Sequence, residues 1–479
     1  MDQSRLIKYI QELAPKERER FREFVLSPYF NQHKKTTELL ELILYQLDKK
    51  SGKGLEKEVV YKKLFPKEGF DEQKLHNVMS YLKKLYHRFI SQQYLEGLDF
   101  QEQLFTLEYA YANNRFDLLT NRSKQLGKTL EEHPLHDANY FHASYRLNFL
   151  LGYYSANHDR SKSGLFQKML NNLDQYYIVE KLRNCCHLTA NMLMINTHYE
   201  FRFIEEILEH VRTNEDNSRE DHAILLYYTI LMSLREENNQ EHYAQLKTIL
   251  NLHTQHLNLV ERGDLYTFAI NYCIRRINAG ESNYQRELFD LYKSGLKTSL
   301  LLSNGLLSEW NYKNITALGC SLKEFEWTEK FIQEYKDKLL GSRRDNAYNY
   351  NLAHLYYNKK MYNEALSALL LVQFSDVMYH LNTTFLLLRT YYALRDTEAL
   401  LSLIETFRIY VIRNQKMTVD QKRGYTNFLR FAKKLVLLKH HANTYSRKAL
   451  EEKLVALKEK IDSTENVINR YWLVEECAA

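Results

Sequence analysis

The sequence predicts an all-α chain, an α-α superhelix of stacked helix pairs behind an N-terminal helical domain. Three observations carry this reading. Proline occurs 4 times and glycine 14 times in 479 residues, so helix breakers are scarce, while Leu, Lys, Glu, Gln and Ala, which favour helices, are abundant. The apolar pattern repeats at intervals of roughly 35 to 45 residues, near the period of two-helix repeats. With 44% hydrophobic and 13% aromatic residues, the chain has enough buriable surface to offset ordering entropy, which a disordered chain lacks. The 37 tyrosines suit thin walls, because the ring packs on apolar neighbours while the hydroxyl reaches a polar partner.

Residues 1–100 read as the N-terminal helical domain. Arg5 to Leu13, Lys16 to Leu26 and Thr36 to Leu47 are amphipathic, with Pro15 at a first-turn position and a loop at Ser27-Pro28-Tyr29-Phe30-Asn31. Lys57 to Leu64 stops at Phe65-Pro66, and Asp71 caps a helix running to about Leu95. Residues 101–260 read as degenerate helical hairpins, Asn139 to Tyr154 with Phe166 to Arg183 and Asp221 to Leu234 with His242 to Leu252. Residues 261–412 carry clearer repeats, and 413–479 form a basic C-terminal helical cap.

The clearest repeat opens at Tyr350. Leu352, Ala353 and Tyr356 form one helical stripe, and Tyr362, Ala365 and Leu369 form the next. About 35 residues further on, Leu387, Leu388 and Tyr391 take the first three positions. Upstream, Asn311 to Leu339 offers Ile315, Gly319, Phe325 and Ile332, and Asn271 to Tyr292 offers Tyr272, Gly280, Tyr284 and Leu291. This pattern resembles the tetratricopeptide repeat, with Asn349 where that family has Trp and Val377 where it has a closing Pro. The runs SPYFN, LFP and NAYNYNLAHLYY also resemble a lineage of bacterial helical-repeat proteins, a resemblance that implies no activity.

The tetratricopeptide resemblance implies that the first helix of each pair lines a concave groove. It places Tyr350, Asn351, His354, Tyr357 and Asn358 there, followed by Asn382, Phe385, Arg389 and Tyr392 from the next repeat. Aromatic rings and Arg are frequent anchors of binding energy. The competing arrangement has several of these tyrosines packed between repeats.

Motifs for chemistry are missing. None of the 18 histidines follows a Glu by three residues or another His by four, the spacings that put metal ligands on one helix face. No glycine-rich phosphate loop and no Gly-x-Ser-x-Gly elbow occurs. His133 with His136 and His253 with His256 are pairs three apart, without a nearby Cys or obvious third ligand, and adjacent Cys185 and Cys186 point about 100° apart on a helix. The expectation is a non-enzymatic protein with no catalytic residue, no cofactor and no metal.

Charge is uneven. From Arg408 to Lys460 there are 14 Lys or Arg against 4 Asp or Glu, a balance of +10, while the whole chain is +6, which leaves −4 for the remainder. Lys422, Arg423, Arg430, Lys433, Lys434 and Lys439 form the candidate basic patch, which would attract nucleic acid or another polyanion. A solvated helix face is the plainer account. The opening residues MDQSRLIKYIQELAPKERER break every apolar run with charge, and the longest near-apolar run, Ala223 to Leu234, is short of the roughly 20 residues a membrane helix needs. Five scattered cysteines form no disulfide framework. The location expected is the cytoplasm, with no membrane span.

The function expected is a scaffold that binds a protein or peptide on a helical-repeat surface. The alternative is a nucleic-acid-associated regulator, in which Lys57 to Leu64 and the helix from Asp71, with Lys74, Lys83, Lys84 and Arg88, act as a helix-turn-helix-like region. Leu75, Met79, Leu82, Leu85 and Phe89 give that helix a stripe better suited to packing.

Overall fold

A computed structural model describes residues 4–48, 55–158, 164–195, 197–214, 222–236, 240–373 and 377–478. Among these, the chain forms α-helices and one two-stranded hairpin, so the fold is all-α. No described helix is long and apolar enough to cross a membrane. The chain divides into two compact units, Met1–Leu231 and Met232–Ala479.

The first unit opens with α1 (Arg5–Glu12), α2 (Pro15–Leu26), α3 (Lys34–Asp48), α4 (Lys57–Leu64) and α5 (Glu72–Glu96). Their boundaries follow local chemistry. Pro15 occupies the first turn of α2, where its missing N–H costs nothing, and the Ala14 N–H donates to Glu17 Oε2 at 2.7 Å. Asp71 accepts from Lys74 N at 3.0 Å and starts α5. The loop between α2 and α3 is pinned by buried Asn31, whose Nδ2 donates to Val25 O (2.9 Å) and Thr37 Oγ1 (3.0 Å) while its Oδ1 accepts from His33 N (2.9 Å). One apolar core, from Leu6 to Phe89, joins these helices. A second, from Phe100 to Leu150, lies among α6 (Gln101–Ala112), α7 (Phe116–Glu131) and α8 (Ala138–His158). Next come α9 (Gly164–Ile195) and α10 (Ile204–Thr213), then α11 (His222–Arg235), within which the division between units falls.

The second unit continues with α12 (Gln240–Thr248), α13 (Leu259–Asn278), α14 (Tyr284–Lys297), α15 (Glu309–Ser321), α16 (Phe325–Glu334), α17 (Arg344–Asn358) and α18 (Tyr362–Leu369). It closes with α19 (Val377–Leu394), α20 (Thr397–Arg413), α21 (Val419–His440), α22 (Arg447–Asp462) and α23 (Arg470–Ala478). From α12 onward each helix packs on the next, and α15, α17 and α19 also pack on one another in a row. This is the pattern of successive helix pairs whose first helices stack side by side. The hairpin of β1 (Leu302–Ser303) and β2 (Leu306–Leu307) turns through Asn304 and Gly305, both with positive φ, the residues a two-residue hairpin turn favours.

Small residues and buried hydroxyls set the seams between pairs. Gly319 on α15 faces Thr328 on α16 so closely that an added Cβ would collide with the Thr328 hydroxyl. Tyr312, fully buried, donates to Ile332 O at 2.7 Å and satisfies one of the last four carbonyls of α16, which have no partner within their own helix.

Candidate functional site

The row α15, α17 and α19 brings together three basic side chains: Lys313, His354 and Arg389. Rings separate them. Lys313 Nζ lies 5.7 Å from the Tyr350 ring centroid and 6.0 Å from that of Trp310. The Arg389 guanidinium lies 4.7 Å from the Tyr357 ring, 5.8 Å from Phe385 and 6.0 Å from Trp472. Such cation-ring contacts are worth about 0.5–2 kcal/mol, more as water is excluded. Among the described residues, neither Lys313 nor Arg389 has a carboxylate in an ion pair, and Arg389 Nε is buried with no hydrogen-bond partner.

Burial shapes the protonation states. It lowers the Lys313 ammonium from its ordinary value. His354, partly buried, is pulled down to about 4 by burial first and then by the positive charges of Arg389 and Lys313. Its imidazole is therefore neutral near pH 7. Burial also raises the Tyr350 hydroxyl to about 12 and holds the Tyr392 hydroxyl above its ordinary range.

The structure corrects the groove register expected from the repeat. Tyr350 and Asn351 are 7% and 1% exposed, not surface residues. Tyr350 belongs to the apolar cluster of Ala353, Ala368, Leu369, Val372 and Leu386, and Asn351 Nδ2 is spent on Ala347 O at 2.7 Å. The cause is that α17 is enclosed by α15, α16, α18 and α19, so it buries more than one stripe. His354 and Tyr357 are partly buried beside Arg389. Exposed Asn358 donates to His354 O at 2.8 Å. Asn382 lines a small hollow with Glu309, Trp310, Lys313, Tyr350 and Tyr379. Phe385 and Tyr392 are partly buried against Trp472, with ring centroids 6.4 and 5.2 Å away.

Sequence reasoning missed Lys313, Trp310 and Trp472. Lys313 was within reach, because the step that carries Leu352 back to Ile315 carries Tyr350 back to Lys313. Trp472 had no local signal. It arrives from α23, which a clamped loop holds in place: Ile468 N donates to Gly424 O at 3.4 Å and Asn466 Nδ2 to Asp420 O at 2.7 Å. Trp472 is 4% exposed, and its Nε1 is buried with no partner.

The six basic-patch residues lie on α21. Lys433 pairs with Glu405 at 2.7 Å and holds that carboxyl below its usual range, while Lys422 donates to Ile412 O at 3.1 Å. Arg423 lies 3.9 Å from Asp420, Arg430 stands 4.7 Å from the Phe431 ring, and Lys434 is exposed. Lys439 is partly buried. In the helix-turn-helix-like region, Lys74 pairs with Glu68 at 2.5 Å and lies 4.4 Å from the Phe65 ring, and Arg88 lies 5.3 Å from the Phe30 ring. Leu75, Leu82, Leu85 and Phe89 are buried in the core.

His133, His136 and Cys186 are engaged with neighbouring groups. His133 Nδ1 meets Leu135 O at 2.8 Å, His136 stacks on Tyr140 at 4.3 Å, and Cys186 Sγ donates to Tyr227 O at 3.1 Å. The side chain of His253 lies outside the described ones. Among the described residues, no three His, Cys, Asp or Glu side chains group as metal ligands.

No family model, curated protein or solved structure matches this chain.

Proposed function

We propose that the protein is a non-enzymatic scaffold of tetratricopeptide-like repeats, working in the cytoplasm, whose α15–α17–α19 wall binds an extended segment of a protein partner. The observation that carries this reading is the line of Lys313, His354 and Arg389, set among aromatic rings and lacking carboxylate partners among the described residues. Rings and an Arg on a rigid wall supply anchoring contacts at low entropic cost. Successive helix pairs support the reading, because stacking them as a solenoid buries a continuous seam and leaves one extended surface free. A nucleic-acid partner is the second reading, favoured by the exposed cations Arg423, Arg430 and Lys434.

Affinity capture from native cytoplasm, with and without nuclease, tests the two together. The scaffold reading expects one protein partner that survives nuclease, rebinds after purification, and is lost with Lys313→Glu or Arg389→Glu. Loss of every partner on digestion, or unchanged capture by both variants, contradicts it.

A further inference from the structure

We propose that Lys313, His354, Arg389 and Trp472 form a binding site for an oxyanion, a carboxylate or phosphoryl group carried by a peptide, and that His354 takes up a proton as the anion binds. The site deepens the scaffold reading, on which it rests, by naming the chemistry of the bound segment. Two buried donors, Arg389 Nε and Trp472 Nε1, have no hydrogen-bond partner among the described residues, and the Arg389 guanidinium, which also hydrogen-bonds Tyr357, lies 6.0 Å from the Trp472 ring centroid. Buried N–H groups without acceptors cost about 1–3 kcal/mol each, and an oxyanion satisfies both while pairing with the guanidinium. Lys313 supplies a second desolvated cation on the other side of His354.

The charges around His354 fix the sign of the proton linkage. Lys313 faces it from α15 and Arg389 from α19, and along α17 its neighbours are Tyr350, Tyr357 and Asn358. The carboxylates Glu329 and Glu364, with Lys359, act on Tyr356 instead. Glu309 lines the hollow beside Lys313, with one carboxylate oxygen paired to Arg343 and its Oε2 buried without a hydrogen-bond partner among the described residues. Glu476 of α23 acts on the Tyr392 and Tyr357 hydroxyls, and neither carboxylate is among the groups that shift His354. His354 therefore experiences two cations as well as burial and stays neutral, down to about 4. An anion seated between those cations cancels their field and favours the imidazolium. Binding then takes up a proton, so affinity rises as pH falls. If the imidazole returns to about 6.5, its ordinary value, the gain between pH 7.5 and 5.5 is about tenfold.

The test uses the full chain and fluorescein-labelled hexaglutamate, with a phosphoserine hexapeptide as a second arm and hexaglutamine as the neutral control, read by polarisation. The expected result is that at least one anionic peptide binds while hexaglutamine does not, with an about tenfold gain at pH 5.5 over pH 7.5. Which arm binds identifies the anion. His354→Gln should keep binding but flatten the pH profile, and Arg389→Gln should weaken binding at least tenfold, whereas Lys433→Gln and Lys434→Gln, on α21, should leave it unchanged. Circular dichroism checks that each variant stays folded, and titration in two buffers of different ionisation enthalpy counts the protons taken up. Failure of both anionic peptides, or binding without proton uptake, overturns the proposal. If a protein partner sensitive to Arg389→Glu is captured while both anionic peptides fail, the scaffold reading survives and the oxyanion site does not.

Discussion

Gly319 offers a direct way to probe the seam between α15 and α16. In Gly319→Ala, the new Cβ would collide with the Thr328 hydroxyl and stand 3.3 Å from Thr328 Cβ and 3.4 Å from Phe289 Cε2. Thr328 is fully buried, and its hydroxyl donates to Glu324 O at 2.7 Å. It can move aside only by giving up that bond, a loss of about 1 kcal/mol. Overpacking in a dense interior costs about 1–3 kcal/mol. Replacing Gly by Ala inside a helix returns about 1 kcal/mol. The net expectation is a destabilisation of about 1–3 kcal/mol. In a Thr328→Ala background the colliding hydroxyl is gone but the contacts at 3.3 Å (Cβ of residue 328) and 3.4 Å (Phe289 Cε2) remain, so the same Gly319→Ala change should be close to neutral, the helix gain of about 1 kcal/mol offsetting them. The cost therefore largely disappears, with a coupling of about 1–3 kcal/mol. Urea titrations of the four proteins would measure this, followed by circular dichroism and by the fluorescence of Trp327, which stacks on Phe331 at 5.4 Å. Equal effects in both backgrounds, or a stabilising Gly319→Ala in the parent, would refute the close approach of these helices.

Other seams make similar predictions. Tyr312→Phe keeps the buried ring but orphans Ile332 O, and should cost about 1–3 kcal/mol in a urea titration; a cost near zero would remove its role in closing α16. Asn31→Ala removes three hydrogen bonds from a buried loop and should cost about 2–3 kcal/mol, with faster hydrogen exchange at His33 than in the parent; unchanged exchange would mean that the loop does not depend on Asn31.

The N-terminal helices were legible because their limits are written in local chemistry. Pro15, Phe65-Pro66 and Asp71 act within a turn of where they stand, and α2, α4 and α5 begin or end at those residues. The hairpin at Asn304-Gly305 also had a local signal, but the expectation of unbroken helix pairs passed over it. The groove was less legible. A stripe of Leu352, Ala353 and Tyr356 describes a helix with one apolar side, whereas α17 buries Tyr350, Asn351 and Leu355 together with Ala353 and leaves Leu352 and Tyr356 partly buried. Asn351 sits in the interior because its amide bonds to its own helix at Ala347 O, a use of a polar side chain that periodicity does not reveal. His354 and Arg389 could be named together from the sequence because they occupy equivalent places 35 residues apart. Trp472 was not, since its contacts with Phe385 and Tyr392 join parts of the chain with no shared pattern.

Whether the α15–α17–α19 wall holds the proposed partner can be read by site-directed photo-crosslinking. A photoreactive phenylalanine analogue would replace Trp310, 54% exposed beside Lys313, or Leu371, 64% exposed just beyond α18. Irradiated with the captured partner, position 310 should form a covalent adduct and position 371 should form none. An adduct at 371 without one at 310 would place the partner elsewhere and contradict the account.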